Sequence, residues 1–168
     1  MLSESERLII TELDKTMYYD VYRNSLDENN RRFVPDEVFE TLEIAKEVVD
    51  DLIESYKNED GPFVYAVIRK EDNKNIGYVQ LVKIPLGWEI GYHIAIEYNG
   101  KGYATEAVKL FLDYLKEHTD LTEIYGIALS DNLASRRVLE KNGFTLLFEG
   151  IDDYQGKPRK IVRTIRRL

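Results

Sequence analysis

A glycine-rich turn between an apolar segment and an amphipathic one contains the residues of this chain that could bind a phosphate. The turn reads Asn99-Gly100-Lys101-Gly102-Tyr103-Ala104-Thr105 and follows the apolar, β-prone run Trp88 to Ile96. Where a strand leads into a helix in this way, the unpaired backbone N–H groups and the positive end of the helix dipole attract anions. Gly100 and Gly102 also allow the backbone to adopt positive φ and to approach a ligand closely. The stretch therefore predicts a phosphate-binding loop.

Two familiar phosphate-binding patterns do not fit this turn. The Walker pattern requires Gly-Lys-Ser/Thr, whereas Gly102 is followed by Tyr103. The dinucleotide-binding pattern requires a third glycine, and Thr105 stands in its place. A Gly-x-Gly turn by itself is more often only a tight turn, so its interpretation depends on the rest of the chain.

The composition of the 168 residues is typical of one globular domain, residues 1–168, and predicts a cytoplasmic protein. Hydrophobic residues make up 43% and charged residues 32%, and no apolar run is long enough to span a membrane. Cysteine is absent, which excludes disulfides, thiolate nucleophiles and zinc–thiolate sites. The net charge of −8 argues against a nucleic-acid partner. His93 and His118 lack a metal-site spacing, so no metal is expected.

The hydrophobic periodicity predicts the element order β-α-α-β-β-β-α-β-α-β-β, which indicates a mixed α/β sheet covered by helices. Short connections favour antiparallel neighbours, whereas the helix between the fourth and fifth strands favours a parallel pair. Asp27 to Pro35 is polar and is predicted to be a loop. The predicted strands are Arg7–Leu13, Phe63–Arg69, Ile76–Ile84, Trp88–Glu97, Ile124–Leu129, Phe144–Gly150 and Arg159–Arg166. The predicted helices follow Asp14 and Thr41, span Tyr103–His118, and run from Asn132 to the stop at Gly143.

Four motifs follow one another along the chain: Glu89-Ile90-Gly91-Tyr92, the glycine turn, Asn132-Leu133-Ala134-Ser135 and Leu139-Glu140-Lys141-Asn142-Gly143-Phe144. In this order they resemble the GNAT superfamily of N-acetyltransferases over essentially the whole chain. The glycine turn is similar to the family's Gln/Arg-x-x-Gly-x-Gly/Ala loop, although Asn99 replaces the first residue of the motif. The Asn-x-x-Ser form is nearest to the Rim-type branch, which acetylates ribosomal-protein N-termini.

The resemblance implies a GNAT fold, with a mostly antiparallel sheet that splays between its fourth and fifth strands. It implies acetyl-coenzyme A as the co-substrate and no metal. The pantetheine arm is expected along the backbone of Ile94, Ala95 and Ile96, where backbone donors could also stabilise an oxyanion. The pyrophosphate is expected at Gly100, Lys101, Gly102, Tyr103, Ala104 and Thr105, and Asn132 and Ser135 are expected to contact the pantetheine arm and thiolate.

Two catalytic residues are expected from the same motifs, each with a structural alternative. Glu89 could draw the proton from the amine through water, or it could be only a charged residue at a strand start. His93 is a second candidate base, and a satisfied strand histidine is the alternative. Many family members use a tyrosine as the acid where this chain has Leu139. Ser135 is therefore the candidate acid, or else a helix cap.

The predicted activity is transfer of an acetyl group to a primary amine, either a peptide N-terminus or a small amine, by direct attack. Because cysteine is absent, a covalent enzyme intermediate is not expected. The alternative function is a non-catalytic acyl-coenzyme A-binding module, which the leucine at position 139 keeps open. Tyr92, Tyr98 and Tyr103 are interpreted as packing residues, and no nucleic-acid or membrane partner is expected. A homodimer is possible because dimers are common in the family.

Overall fold

The computed structural model describes residues 1–168 and contains eight strands in one sheet. The strand order is β1-β2-β3-β4-β5-β6-β8-β7, and every neighbouring pair is antiparallel except β5 and β6. The predicted mixed, mostly antiparallel sheet is therefore confirmed. The strands are β1 (Ser3–Glu4), β2 (Leu8–Glu12), β3 (Phe63–Arg69), β4 (Lys74–Ile84), β5 (Gly87–Ile94), β6 (Glu123–Leu129), β7 (Thr145–Tyr154) and β8 (Lys157–Arg167).

Five α-helices and three short 3-10 turns connect the strands. The 3-10 turns cover Lys15–Met17, Pro35–Glu37 and Ile96–Tyr98. No helix is long and apolar enough to cross a membrane. The helices are α1 (Tyr18–Ser25), α2 (Glu28–Phe33), α3 (Leu42–Ser55), α4 (Tyr103–His118) and α5 (Leu133–Lys141).

Helices cover both faces of the sheet, and strand alternation supplies apolar side chains to each. On one face, Ala107, Val108 and Phe111 of α4 join the larger core cluster with residues such as Leu8 and Ile10 of β2. On the other face, Val49 of α3 packs against alternate residues of β3 such as Val64 and Ala66. Because successive side chains of a strand point to opposite faces, β3 contributes Val67 to the first cluster and Val64 and Ala66 to the second. The sheet is thus the middle of three layers.

The segment predicted as a loop from Asp27 to Pro35 contains a helix. Asp27 caps α2 by accepting a hydrogen bond from the Asn30 backbone N–H at 2.8 Å. The Asn30 side chain is buried, and its amide nitrogen donates to the backbone oxygens of Ser25 and Glu37. These contacts join α2 to the end of α1 and to the following 3-10 turn, so the loop prediction was wrong.

The parallel pair β5 and β6 separates soon after it forms. Its register contains only two residue pairs, Glu89 with Tyr125 and Ile90 with Gly126. By contrast, β4 and β5 pair along the whole of β5. The sheet therefore opens between β5 and β6 beyond Ile90. This is the splay expected between the fourth and fifth predicted strands, which are β5 and β6 because the short β1 was not predicted.

Candidate active site

A cleft of about 800 Å³ opens where β5 and β6 separate. Its walls come from β4, β5, the end of β6, the start of α5, the segment from α2 to the 3-10 turn at Pro35–Glu37, and the hairpin between β7 and β8. Six of the candidate site residues line it: Glu89, His93, Ile94, Ala104, Asn132 and Ser135. Elements that are distant in sequence therefore converge on one concave site.

The open edge of β5 lies slightly earlier in the chain than expected. The Ala95 N–H donates to the Ile76 carbonyl at 2.9 Å, and antiparallel pairs alternate between bonded and non-bonded residues. The backbone groups of Tyr92 and Ile94 are therefore directed away from β4 and toward the gap. The predicted continuation of the strand to Glu97 was wrong, because β5 ends at Ile94 and a 3-10 turn follows at Ile96–Tyr98.

Ile96 differs most from its expected position. Its backbone N–H donates to Asp27 Oδ2 at 3.0 Å, and its side chain is 45% exposed instead of buried in the core. This N–H is therefore already used by a carboxylate of the α1–α2 connection. Of the three residues expected to bind the pantetheine arm, only Ile94 presents its backbone to the gap, since the Ala95 N–H also bonds within the sheet.

The glycine turn has the backbone that its sequence predicts. Gly100 and Gly102 both have a φ of 79°, and a Cβ added at Gly100 would meet no atom within 4 Å. Helix α4 begins at Tyr103 without a side-chain cap, and the Glu106 N–H is the first to bond back to the turn, at Gly102 O. The amides before Glu106 at this helix start therefore remain available as anion donors.

Arg7, the residue before β2, holds the glycine turn in place. Its guanidinium forms an ion pair with Glu106, donates to the Lys101 carbonyl at 2.9 Å and stacks over the Tyr103 ring at 4.5 Å. Ser5 Oγ donates to the same Glu106 carboxylate at 2.6 Å. Sequence reasoning missed Arg7 because it lies about one hundred residues before the turn and matches no motif.

The start of α5 pairs a serine with a tyrosine of β5. Asn132 Oδ1 accepts the Ser135 N–H at 3.2 Å, so Asn132 is the helix cap and the alternative role of Ser135 as a cap is wrong. The Tyr92 hydroxyl lies 2.8 Å from the Ser135 carbonyl oxygen and 2.9 Å from Ser135 Oγ. Burial raises the pKa of Tyr92, against a smaller lowering by its bond to Ser135, so Tyr92 stays protonated.

The interpretation of Tyr92 as a packing residue was therefore incomplete. Tyr92 lines the cleft and contacts the candidate acid, whereas Tyr98 and Tyr103 are buried in the core as expected. Leu139 lies in the core as well and is 1% exposed. A side chain at that position in this chain therefore packs under the sheet, and the nearest tyrosine hydroxyl to Ser135 comes from β5 instead of α5.

Glu89 faces the cleft without a partner of its own. It makes neither a hydrogen bond nor an ion pair, and burial, followed by the charge of Glu37, raises its pKa to about 7. A carboxyl group that titrates near neutral pH can accept a proton and release it again. Tyr154, the last residue of β7, also lines the cleft, and burial and then the Glu89 charge raise its pKa.

His93, the second candidate base, is held by a carboxylate. Its Nε2 lies 2.8 Å from Asp27 Oδ2, and both side chains are largely buried. The same Asp27 oxygen accepts the Ile96 N–H, and the other oxygen caps α2. His93 therefore joins the end of β5 to the α1–α2 connection, and its Nε2 is directed at Asp27.

Comparison with known proteins gives the same picture at the level of the whole chain. Residues 7–145 match the family described as the acetyltransferase (GNAT) domain. An uncharacterised N-acetyltransferase of Bacillus subtilis, YnaD, is 31% identical over 142 residues, which cover 83% of this chain and 79% of YnaD.

Two solved structures share the fold at lower identity. An acetyltransferase of the GNAT family from Bacillus anthracis superposes with a TM-score of 0.82 at 24% identity, covering 98% of this chain and 97% of the other. The ribosomal alpha-N-protein acetyltransferase RimL, in complex with coenzyme A, gives a TM-score of 0.83 at 18% identity, with 98% and 96% covered.

Proposed function

This chain belongs to the GNAT acetyltransferase family, and on that premise we propose that it transfers an acetyl group from acetyl-coenzyme A to a primary amine by direct attack. The observation that carries the proposal is the cleft between β5 and β6. It runs past an open strand edge at Tyr92 and Ile94 and contains both Glu89 and Ser135. RimL, which shares this fold, was solved with coenzyme A bound.

The residues of this chain fit the three parts of the co-substrate. The uncapped start of α4 provides amide donors for the pyrophosphate at Gly100 to Thr105. The open edge of β5 can pair with the amide groups of the pantetheine arm as an added strand would. The amide nitrogen of Asn132 makes no bond within the protein, since the cap uses only its oxygen, and it can donate to the same arm. When bound, acetyl-coenzyme A supplies a thioester, the electrophile of the reaction.

Glu89 serves as the base in this proposal. The attacking amine must be neutral, which costs about 1 kcal/mol for an α-amine at pH 7 and about 4–5 kcal/mol for a lysine-type amine. A carboxylate with a pKa of about 7 can take this proton through a water molecule. The amine nitrogen then forms a bond to the acetyl carbon, and the carbon–sulfur bond breaks.

Ser135, with Tyr92 behind it, serves as the acid. If the Ser135 hydroxyl gives its proton to the departing thiolate, the Tyr92 hydroxyl, 2.9 Å away, can donate in turn to Ser135 Oγ. The raised pKa of Tyr92 keeps its hydroxyl protonated, so a proton is available for the Ser135 oxygen. The pair replaces the tyrosine that is absent at Leu139, so a complete acid–base set lies in the cleft. This observation favours the enzyme over the non-catalytic binding module.

The test combines thermal stabilisation by acetyl-coenzyme A with release of the free thiol when an amine is added. Substitution Gly102→Val should remove the stabilisation, because a β-branched residue cannot hold a φ of 79° at the point where the turn contacts phosphate. Saturating ligand stabilises a protein by about 2.7 kcal/mol at a hundred times its Kd, so the loss is measurable.

The matched control is Gly156→Val. Gly156 has a φ of 75° and open space around it, but it lies in the β7–β8 turn. Both variants should lower the melting temperature of the free protein, and only Gly102→Val should lose the response to acetyl-coenzyme A. An equal response in both variants would remove the loop from the proposal. Absence of thiol release with every amine would leave a binding module.

A further inference from the structure

The lining of the cleft contains carboxylates that the proposed reaction does not use, and Glu37 is one of them. Glu37 ends the 3-10 turn Pro35–Glu37 and lines the cleft. The Tyr78 hydroxyl of β4 donates to its Oε2, and no arginine or lysine forms an ion pair with it. The Tyr78 bond fixes the position of this carboxylate, while its other oxygen remains free to bind a ligand.

Glu37 and Glu89 belong to the same face of the sheet. Strand register places Tyr78 opposite His93 and Val82 opposite Glu89, and cross-strand partners point to the same side. Glu37 is close enough to Glu89 for its charge to raise the pKa of the Glu89 carboxyl. The two carboxylates thus lie along one wall, contributed by segments about fifty residues apart in the chain.

The rest of this wall suits a hydrocarbon chain better than another charge. Phe33, Val34 and Val82 line the cleft on this side. The one guanidinium in the lining, that of Arg163, pairs with Asp152 at 2.5 Å and so does not neutralise either glutamate. The protein as a whole carries a net charge of −8, which draws cations toward such a cleft.

We propose that Glu37 selects the acceptor by binding a second cationic group on it, so that the preferred substrate is a primary amine with another positive charge a few carbons away. The proposal rests on the proposed function, because Glu89 must act on the reacting nitrogen. Glu37 then holds the far cation, and the apolar side chains between them contact the intervening methylene groups. Two chemical sources share this pattern: a free alkyl diamine, and a peptide whose N-terminal residue precedes a basic one.

The test compares matched acceptors that differ only in the second charge. One pair is 1,4-diaminobutane and butylamine, and the other is the dipeptide amides Ala-Lys and Ala-norleucine. A charge-assisted hydrogen bond contributes enough to change kcat/KM by about tenfold to a hundredfold. The charged member of at least one pair should be preferred by that factor. Preference confined to the first pair would identify a free diamine, and preference confined to the second would identify a peptide.

Substitution Glu37→Gln keeps an oxygen for the Tyr78 hydroxyl and removes the charge. It should raise KM for the preferred acceptor about tenfold or more while kcat and the KM of the uncharged partner change little. Asp36→Asn is the matched control, since it removes the same charge from the neighbouring exposed residue outside the cleft. Melting temperatures with acetyl-coenzyme A confirm that each variant is folded and binds the co-substrate.

Two results would overturn the assignment of Glu37: no preference within either pair, or an equal loss on both members of a pair in Glu37→Gln. In either case acetylation of the uncharged amines would continue, and only the acceptor class would be wrong. If acetyl-coenzyme A is bound but no amine of any kind is acetylated, the proposed function itself fails.

Discussion

Glu89 gives the protein a dependence of stability on pH that can be calculated from its surroundings. The pKa of this carboxyl is raised from 4.5 to about 7 by burial and by Glu37. Between these values the folded protein binds a proton at Glu89 that the unfolded chain has released. The free energy of unfolding therefore falls as pH rises from about 4.5 to about 7, and it is constant on either side as far as this group is concerned.

The size of the effect follows from the same two values. A difference of about 2.5 between them corresponds to about 3.5 kcal/mol at about 1.4 kcal/mol per pH unit. Partial exposure to solvent screens the charge, so this figure is an upper bound. Glu89→Gln has nearly the shape of the protonated carboxyl and cannot ionise. Relative to the wild type, the variant should gain up to about 3.5 kcal/mol of stability above pH 7 and little at pH 4.

The assay is urea unfolding of both proteins at pH values from 4 to 8. Subtracting one free energy of unfolding from the other cancels the titration of all groups that the substitution leaves unchanged. A difference that does not change with pH would refute the reasoning, because it would mean that Glu89 has an ordinary pKa.

In the acetylation assay the same ionisation predicts that wild-type kcat/KM rises through pH 7, and that Glu89→Gln loses most activity above that pH.

Two other predictions concern the acid pair and the residue that holds the glycine turn. Ser135→Ala and Tyr92→Phe should each lower kcat about a hundredfold if the two hydroxyls protonate the thiolate in series. An unchanged kcat in steady-state assays of both variants would mean that the thiolate leaves unprotonated. Arg7→Ala removes the ion pair to Glu106, the bond to the Lys101 carbonyl and the stack on Tyr103. Arg7→Ala should raise the Kd for coenzyme A, measured by calorimetry, at least severalfold, and Arg7→Lys should restore only part of the lost affinity. Equal affinity in the wild type and both variants would show that the turn keeps its shape without Arg7.

The sequence predicted best those elements whose signals are local. Strand β3 and helix α4 have the bounds that periodicity assigned to them, Phe63–Arg69 and Tyr103–His118. The positive φ values of Gly100 and Gly102 also follow from residue type alone. These features depend on neighbouring residues, which a single sequence displays directly.

The errors arose where distant contacts decide the local structure. Helix α2 has too few apolar residues to show a helical period, and it forms because Asp27 caps it and buried Asn30 bonds across the turn. Strand β5 was predicted too long because Ile96 is apolar and β-branched, which favours a strand. In the structure the Ile96 N–H instead donates a hydrogen bond to the Asp27 carboxylate. Arg7, Glu37 and Asp27 reach the site from segments without motifs, so no pattern in the sequence could identify them.

The alternation of β5 gives a physical reason for the division of labour in the proposed reaction. Glu89 and His93 point to one face of the sheet, toward Glu37 and Asp27, whereas Tyr92 points to the other, where α5 presents Ser135. A closed sheet would keep these two groups of side chains apart. Because β5 and β6 separate after Ile90, a thioester lying in the gap can meet an amine from the acidic face while its sulfur faces the hydroxyl pair. In the proposed reaction, the splay thus allows a base and an acid, held on opposite faces by strand geometry, to reach the amine and the sulfur around one acetyl carbon.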